Sequence, residues 1–478
     1  MIGREAELAD LRHWRDSGQP EFVAVYGRRR VGKTSLIRAA FGEFAFYATG
    51  VLRAGRAAQL ATWSDALADA GWQVDVPFET WLEAFRALRK HLEAAIAARP
   101  GQRMVVFLDE VPWFDTPKSG FIAALDHFWN SWASTRDEVM LVICGSATSW
   151  IVKKVFRDRG GLHNRVTRRI ALQPFDLRQT KQLFEANGVV MTDYQIVEAY
   201  MVFGGIPFYL SLFDSRLSLA QNINRLCFAP GGQLVDEFDE LYRSLFDNAG
   251  SHLAVVEALG AKKKGLTNAD ISGVTGLAKG GTLTQVLAEL ELSGFIRSYV
   301  PPGRRAKGKL YQLVDTFSLF HLNFMRDKSN NDEVFWLKYL EGGGHNAWSG
   351  YAFEMVCLWH IPQIKAALGI NGVITSVAGW RSETSDPGAQ IDLVIARRDG
   401  VTNLCEMKYA AAPYAITKDD SAALRRKRAA FAAETKTTDA IHLTMITVQG
   451  ITQNAYANDI QSQVTGDDLF LSVGGLAL

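Results

Sequence analysis

Cysteine is scarce in this sequence: four residues in 478, Cys144, Cys227, Cys357 and Cys405, with no CxxC pair among them. That excludes a disulfide-stapled secreted fold, a zinc ribbon and a thioredoxin-like redox pair. Each thiol is left as a small apolar residue of a reducing compartment. An excess of either charge is lacking too, since 52 Lys+Arg stand against 51 Asp+Glu for a formal net charge of +1. A bulk electrostatic tether to DNA or to an anionic membrane is thereby excluded, and any nucleic-acid contact must come from a local patch. Long hydrophobic runs are missing as well. The longest apolar-leaning stretch, residues 139–152, contains Ser146, Thr148 and Ser149 and is too short to span a bilayer. Arg4, Glu5 and Glu7 interrupt the start of the chain before a signal-like apolar segment can develop. The expectation is a cytoplasmic protein without a membrane partner.

What is present is ordinary globular composition, 48% hydrophobic and 22% charged. At roughly 100–200 residues per domain, the length predicts two to four domains. Four segments read differently: 1–175, 176–247, 248–328 and 329–478. In the first, short apolar runs (Phe22–Tyr26, Phe44–Tyr47, Met104–Leu108, Met140–Cys144) alternate with helical stretches, which predicts an α/β fold on a parallel sheet. The second is helical, broken by Gly204-Gly205 and Gly231-Gly232. No internal repeat is found.

Gly27-Arg28-Arg29-Arg30-Val31-Gly32-Lys33-Thr34 fits the phosphate-binding loop pattern GxxxxGK[ST], placed after an apolar strand and before the helical run that opens at Ser35. Glycines let backbone N–H groups curl around phosphate oxygens, and the helix N-terminus adds its dipole. Lys33 is expected on the β/γ phosphates and the Thr34 hydroxyl on Mg²⁺. A second strand, Met104–Leu108, ends in Asp109 and Glu110. Asp109 is expected to support Mg²⁺ and Glu110 to polarise the attacking water. Ser146 follows the strand Met140–Cys144 and is expected as a γ-phosphate sensor. Arg165, Arg168 and Arg169 cluster before Ile170; any one of the three is a candidate arginine finger acting on a neighbouring subunit's nucleotide, an idea that predicts a homo-oligomer without proving one.

These features together resemble the archaeal-type ATPases of the AAA+/STAND branch of P-loop NTPases, over about residues 1–245. Ile2-Gly3-Arg4-Glu5-Ala6-Glu7-Leu8 looks like that family's N-terminal segment, which implies that Gly3 and Arg4 lie near the adenine. Gly204-Gly205-Ile206-Pro207 looks like its lid motif, implying a nucleotide contact at Pro207. The resemblance implies ATP, and no guanine-reading NKxD motif is evident.

Residues 251–313 have the pattern of a winged helix-turn-helix. Leu253, Val256 and Leu259 mark one helix, Thr267 with Asp270 has capping-box spacing for a second, and Leu283, Val286, Leu287 and Leu290 form the stripe of a third. Phe295–Val300 and Leu310–Val314 would be strands around a wing holding Arg304, Arg305, Lys307 and Lys309. Those cations and Lys262-Lys263-Lys264 suit phosphate contact with DNA; a packing module is the alternative reading.

In the last segment Asp399-Gly400 separates two β-prone runs, 389–396 and 401–408, a hairpin signal. Reflection about that turn brings Asp392 opposite Glu406, and Lys408 shares a strand face with Glu406. Two carboxylates side by side repel unless a cation joins them, and hard oxygen donors suit Mg²⁺ or Mn²⁺. The arrangement resembles the PD-(D/E)xK nuclease superfamily, specifically the restriction-endonuclease-like domain that follows many archaeal-type ATPases. Gly350–Glu354 looks like that domain's opening helix, which implies Glu354 as a third acid. Gln390-Ile391-Asp392 departs from the Pro-Asp dipeptide of the superfamily.

The sequence therefore predicts an ATPase core (1–175), a helical lid (176–247), a winged helix-turn-helix (248–328) and a nuclease-like α/β domain (329–478). The expected function is ATP binding and hydrolysis coupled to action on DNA, with metal-dependent cleavage by Glu354, Asp392, Glu406 and Lys408. The alternative is a STAND-type regulatory switch that binds DNA or a protein partner through an inactive nuclease fold.

Overall fold

Where β-branched, aromatic and aliphatic residues run together, the computed structural model has strands: Glu21–Tyr26 (β1), Phe46–Thr49 (β2), Met104–Asp109 (β3), Val139–Gly145 (β4) and Arg168–Ala171 (β5). The structure describes residues 1–157, 162, 164–246, 248–262, 265–304, 308–326, 334–340 and 344–473. The five strands are all parallel, in the order β2-β3-β4-β1-β5. Every residue of β3 and β4 is buried, as central strands covered on both faces must be. Because β4 is inserted between β1 and β3, the carboxyl ends of these three strands are neighbours. An open parallel sheet has its ligand crevice at such ends.

One face is filled by an aromatic cluster. Trp63, Trp81, Phe85, Phe114 and Phe121 meet at 4.9–6.3 Å, edge-on or tilted except for the stacked pair Phe114–Phe121, joining the helices Arg56–Asp69, Trp81–Ala98 and Phe121–Ser131. Strand β2 begins at Phe46 rather than at Phe44 as expected. The Ala45 N–H bonds to the Val105 carbonyl just ahead of it, and the Phe44 ring packs on Phe107. The chain divides into two compact units, Met1–Pro174 and Phe175–Leu478.

The second unit opens with five helices between Leu177 and Leu245. Three more follow, Ala249–Gly260, Asn268–Thr275 and Gly281–Leu292, with strands Leu266–Thr267 (β6), Ile296–Tyr299 (β7) and Leu310–Leu313 (β8) in an antiparallel sheet ordered β6-β8-β7. The stripe Leu283, Val286, Leu287 and Leu290 is buried, and Thr267 with Asp270 forms a reciprocal capping box. The first of these helices buries His252, Val255, Val256 and Leu259 more deeply than Leu253. The two-residue strand β6 carries too short a pattern to be read in advance.

The rest of this unit is a mixed sheet of Thr375–Arg381 (β9), Gln390–Arg397 (β10), Val401–Lys408 (β11), Ala440–Thr447 (β13) and Ser462–Val464 (β15), in the order β15-β13-β11-β10-β9. The short strands Tyr414–Ala415 (β12) and Ile451–Thr452 (β14) pair separately. β9, β10 and β11 are antiparallel neighbours, while β13 joins β11 in parallel through the crossover helix Lys418–Thr435. That helix seats Leu424 and Phe431 on a core of Trp380, Ile391, Val394, Leu404 and Leu443.

Segments far apart in sequence interlock within the second unit. Asp176 caps the helix Leu177–Ala186 and accepts a bond from Gln363 Nε2 at 3.3 Å. The Leu177 N–H donates to His360 Nε2 at 2.9 Å, and the Tyr194 and Tyr409 rings stack at 4.8 Å. All four cysteines are buried. Among the described residues no helix is long and apolar enough to cross a membrane.

His321 continues the helix Thr316–Phe320, and its ring stacks on Phe238 at 4.1 Å. Burial is the main cause that pulls its pKa down to about 4, with Asp239 opposing and Arg326 assisting. The folded state therefore refuses a proton that the unfolded chain accepts near pH 6.5. The stabilisation is whole above that value and is lost as the pH falls towards 4, by about 3 kcal/mol in full. Urea midpoints at pH 7.5 and 4.5 should diverge more in the wild type than in His321→Phe.

Candidate functional site

The loop between β1 and the helix Lys33–Phe41 turns through left-handed backbone at Arg30 and Gly32, with φ of 70° and 93°. Gly27 is required by close approach: a Cβ there would lie 2.3 Å from the Leu172 carbonyl oxygen. Arg28, Val31 and Lys33 are buried, Gly27, Arg29, Arg30, Gly32 and Thr34 half-buried, and Ser35 exposed. The Lys33 ammonium donates to the carbonyls of Gly27 (3.1 Å) and Arg28 (2.9 Å) and to the Ser146 hydroxyl (3.0 Å). Three acceptors hold its three donors at the centre of the loop. The Thr34 hydroxyl donates to Asp109 Oδ2 at 2.8 Å, so a hydroxyl and a carboxylate converge. These hard oxygen donors fit Mg²⁺.

Glu110 sits just past the end of β3 in left-handed backbone, φ 46°. Such a conformation costs a non-glycine residue energy and persists where the surroundings enforce it. Here its N–H is held by Asp109 Oδ1 (2.9 Å), and its carboxylate accepts from the Ser146 N–H (3.1 Å) and hydroxyl (2.6 Å). Ser146 thus bridges Lys33 and Glu110. The sequence pointed to all three residues but not to this bridge, which depends on β4 lying between β1 and β3. Cys144, on the same strand, is inert: burial first and then the Asp109 charge hold its thiol well above the usual range.

The N-terminal segment braces the same loop. Arg4 is buried and donates to the carbonyls of Val31 (3.3 Å) and Gln173 (2.6 Å), with Glu7 at 3.4 Å. Gly3 has φ 63° and donates its N–H to Glu5. Of the three candidate finger arginines, Arg168 pairs with buried Glu21 at 3.3 Å and Arg169 lies 4.0 Å over the Phe156 ring. Arg165 is exposed, with no ion pair or ring contact among the described residues. Pro207 belongs to the second unit, at the first turn of the helix Pro207–Ser211.

In the second unit, the register Leu393↔Cys405 sets Asp392 across from Glu406 at the next step along the pair. Lys408 Nζ lies 3.1 Å from Glu406 Oε1, and Lys427 Nζ lies 2.5 Å from its Oε2. Burial first and Glu406 second push the Asp392 carboxyl above the ordinary range. The three expected acids do not gather into one cluster. Glu406 is drawn to its two lysines, while Glu354 and Asp392 line a separate cavity. Among the described residues no group of three or more His, Cys, Asp or Glu is placed to hold a metal.

Several cations expected on DNA are engaged elsewhere. Lys427 holds Glu406, Arg425 pairs with Asp459 at 2.6 Å, and Arg304 pairs with Glu383 at 2.5 Å. Lys309 lies 3.9 Å from Glu291. Lys262 is exposed, whereas Lys263, Lys264, Arg305 and Lys307 lie outside the described residues. The run Arg425-Arg426-Lys427-Arg428 reads in the sequence as a set of candidate DNA-phosphate contacts, which does not signal Lys427 as a partner of Glu406.

The parallel sheet, its phosphate loop and the acid pair at the end of β3 define a P-loop ATPase domain. Comparison with known proteins agrees: residues 1–213 match a family of ATPase domains described as predominantly from Archaea. An uncharacterised protein of Methanocaldococcus jannaschii is 22% identical over 399 residues, covering 82% of this chain and 84% of that one. A Walker-type ATPase of Pyrococcus abyssi shares the fold with a TM-score of 0.50 at 18% identity, over 68% of this chain and 96% of that one.

Proposed function

We propose that this ATPase uses ATP with Mg²⁺ and couples nucleotide binding and hydrolysis to action on DNA through a C-terminal phosphodiester-cleaving site. The nucleotide half rests on the Lys33–Ser146–Glu110 bridge beside Thr34 and Asp109. In this reading Lys33 binds the β/γ phosphates, Thr34 and Asp109 hold Mg²⁺, Glu110 orients water and Ser146 senses the γ-phosphate. Arg165 would act on a second subunit's nucleotide.

The observation that carries the cleavage half is the β10–β11 register, which sets Asp392 against Glu406 with Lys408 on the same strand. Two carboxylates of this kind have the donor chemistry for Mg²⁺ or Mn²⁺, and a metal there would polarise a phosphodiester oxygen. The mixed sheet is read as a restriction-endonuclease-like fold, and the β6-β8-β7 sheet with its three helices as a winged helix-turn-helix. A second reading, a STAND-type switch with an inactive nuclease fold, is favoured by the two lysines that occupy both oxygens of Glu406.

Nicking of supercoiled plasmid in Mn²⁺, with and without ATP, separates the two. The wild type should nick, and Asp392→Asn should lose roughly a hundredfold or more of the rate. Equal nicking by a preparation carrying Asp392→Asn with Lys408→Ala would leave the switch reading standing.

A further inference from the structure

The cavity that holds Asp392 and Glu354 has a second wall made by a different part of the chain. It measures about 200 Å³; the mixed sheet contributes Asp392 and Arg381, β7 of the three-stranded sheet contributes Arg297 and Tyr299, and the loop after β7 contributes Arg304. Arg297 is recessed. Its Nε donates to Gln312 Oε1 at 2.9 Å and its guanidinium lies 4.7 Å from the centre of the Tyr299 ring. Burial lowers its pKa, so the cation is kept in the cavity at a desolvation cost.

The wall is fixed rather than draped. The Tyr299 hydroxyl packs on Gly379, where a Cβ would come within 3.0 Å of it, and Arg304 pairs with Glu383 at 2.5 Å. A guanidinium fork facing carboxylates across a small gap suits a phosphate flanked by a cation, since Arg binds phosphate through paired N–H donors. Size decides the substrate. Pockets for drug-sized ligands span about 300–1,000 Å³, so this one has room for a phosphate with its sugar. A duplex, whose major groove alone is about 12 Å wide, does not enter it.

We propose that the C-terminal site is bipartite and takes a single strand or frayed end of nucleic acid, with Arg297 of the three-stranded sheet binding the phosphate that Asp392 faces. The inference rests on the cleavage reading above. The reaction is hydrolysis: water oxygen bonds to phosphorus, one P–O ester bond breaks, and the leaving oxygen takes up the proton that water releases.

The test is fluorescence anisotropy with the full chain, a labelled 12-mer single strand and its duplex, in Ca²⁺. The single strand should bind at least tenfold more tightly than the duplex. Arg297→Gln should lose at least tenfold for the strand and lower the salt slope by about 0.7, with Arg297→Lys recovering part. Arg304→Ala, at the rim, should weaken the strand several-fold and decides the matter if Arg297→Gln fails to fold. Duplex binding equal to or tighter than the strand overturns the proposal, as does unchanged strand affinity in Arg297→Gln or, if that variant fails to fold, in Arg304→Ala. These binding arms hold whether or not plasmid is nicked. Nicking with no strand preference sinks only this inference, whereas strand binding without nicking sinks only the cleavage reading.

Discussion

Lys33→Ala is expected to abolish measurable ATP turnover, a fall of roughly a hundredfold or more, and to weaken nucleotide binding with it. The ammonium sits at the centre of the loop, tied to Gly27, Arg28 and Ser146. Removing one preorganised donor from a developing phosphate charge costs on the order of 10²–10³ in rate. The same substitution frees Ser146 from one of its two partners and so loosens Glu110. Glu110→Gln is the useful contrast. It keeps an acceptor for Ser146 but loses the carboxylate charge, so on the role proposed for Glu110 turnover should fall as far while nucleotide binding survives. Isothermal titration with ATP beside a phosphate-release assay checks both. Full turnover in Lys33→Ala would contradict the assigned role.

Gly205→Ala should destabilise the second unit by roughly 3 kcal/mol or more, near the top of the range for one methyl group. An added Cβ would stand 1.8 Å from the Phe175 carbonyl oxygen, 2.7 Å from its carbon and 2.8 Å from its nitrogen. All three are backbone atoms, so no side chain can swing aside. The Phe175 N–H also donates to the Gly205 carbonyl at 2.7 Å, and Tyr200 donates its hydroxyl to the Phe175 carbonyl at 2.8 Å. Relief of the clash must therefore break one of these bonds. Thermal unfolding of Gly205→Ala against Gly372→Ala, where a Cβ meets nothing within 4 Å and φ is not left-handed, isolates the steric part from the cost of losing glycine.

The nucleotide loop was legible because its chemistry is local: eight consecutive residues carry the turn, the amides, the lysine and the hydroxyl. Asp109 and Glu110 were legible because an apolar strand ends on them. The Ser146 bridge was not, since sheet order is a non-local property that strand patterns do not encode. The β10–β11 hairpin was legible, because its Asp-Gly turn fixes the register of Asp392 and Glu406 by reflection, whereas Lys427, which reaches Glu406 from a crossover helix, was not. Arg304 reads in the sequence as a wing cation for DNA phosphate, yet it pairs with Glu383, from a segment 79 positions further on. Charge runs reveal little about their partners, because long side chains choose them by proximity in space.

The seam between Pro174 and Phe175 bears on how such a protein diversifies. Residues 1–213 match one ATPase family, yet that stretch runs past the seam and ends among helices whose caps and rings are fastened to His360, Gln363 and Tyr409. The chain beyond residue 247 or 328 could not be exchanged by recombination without stripping those anchors from their sockets. Exchange that begins at 175 keeps them, because the helices from Leu177 onward then travel with the residues that grip them.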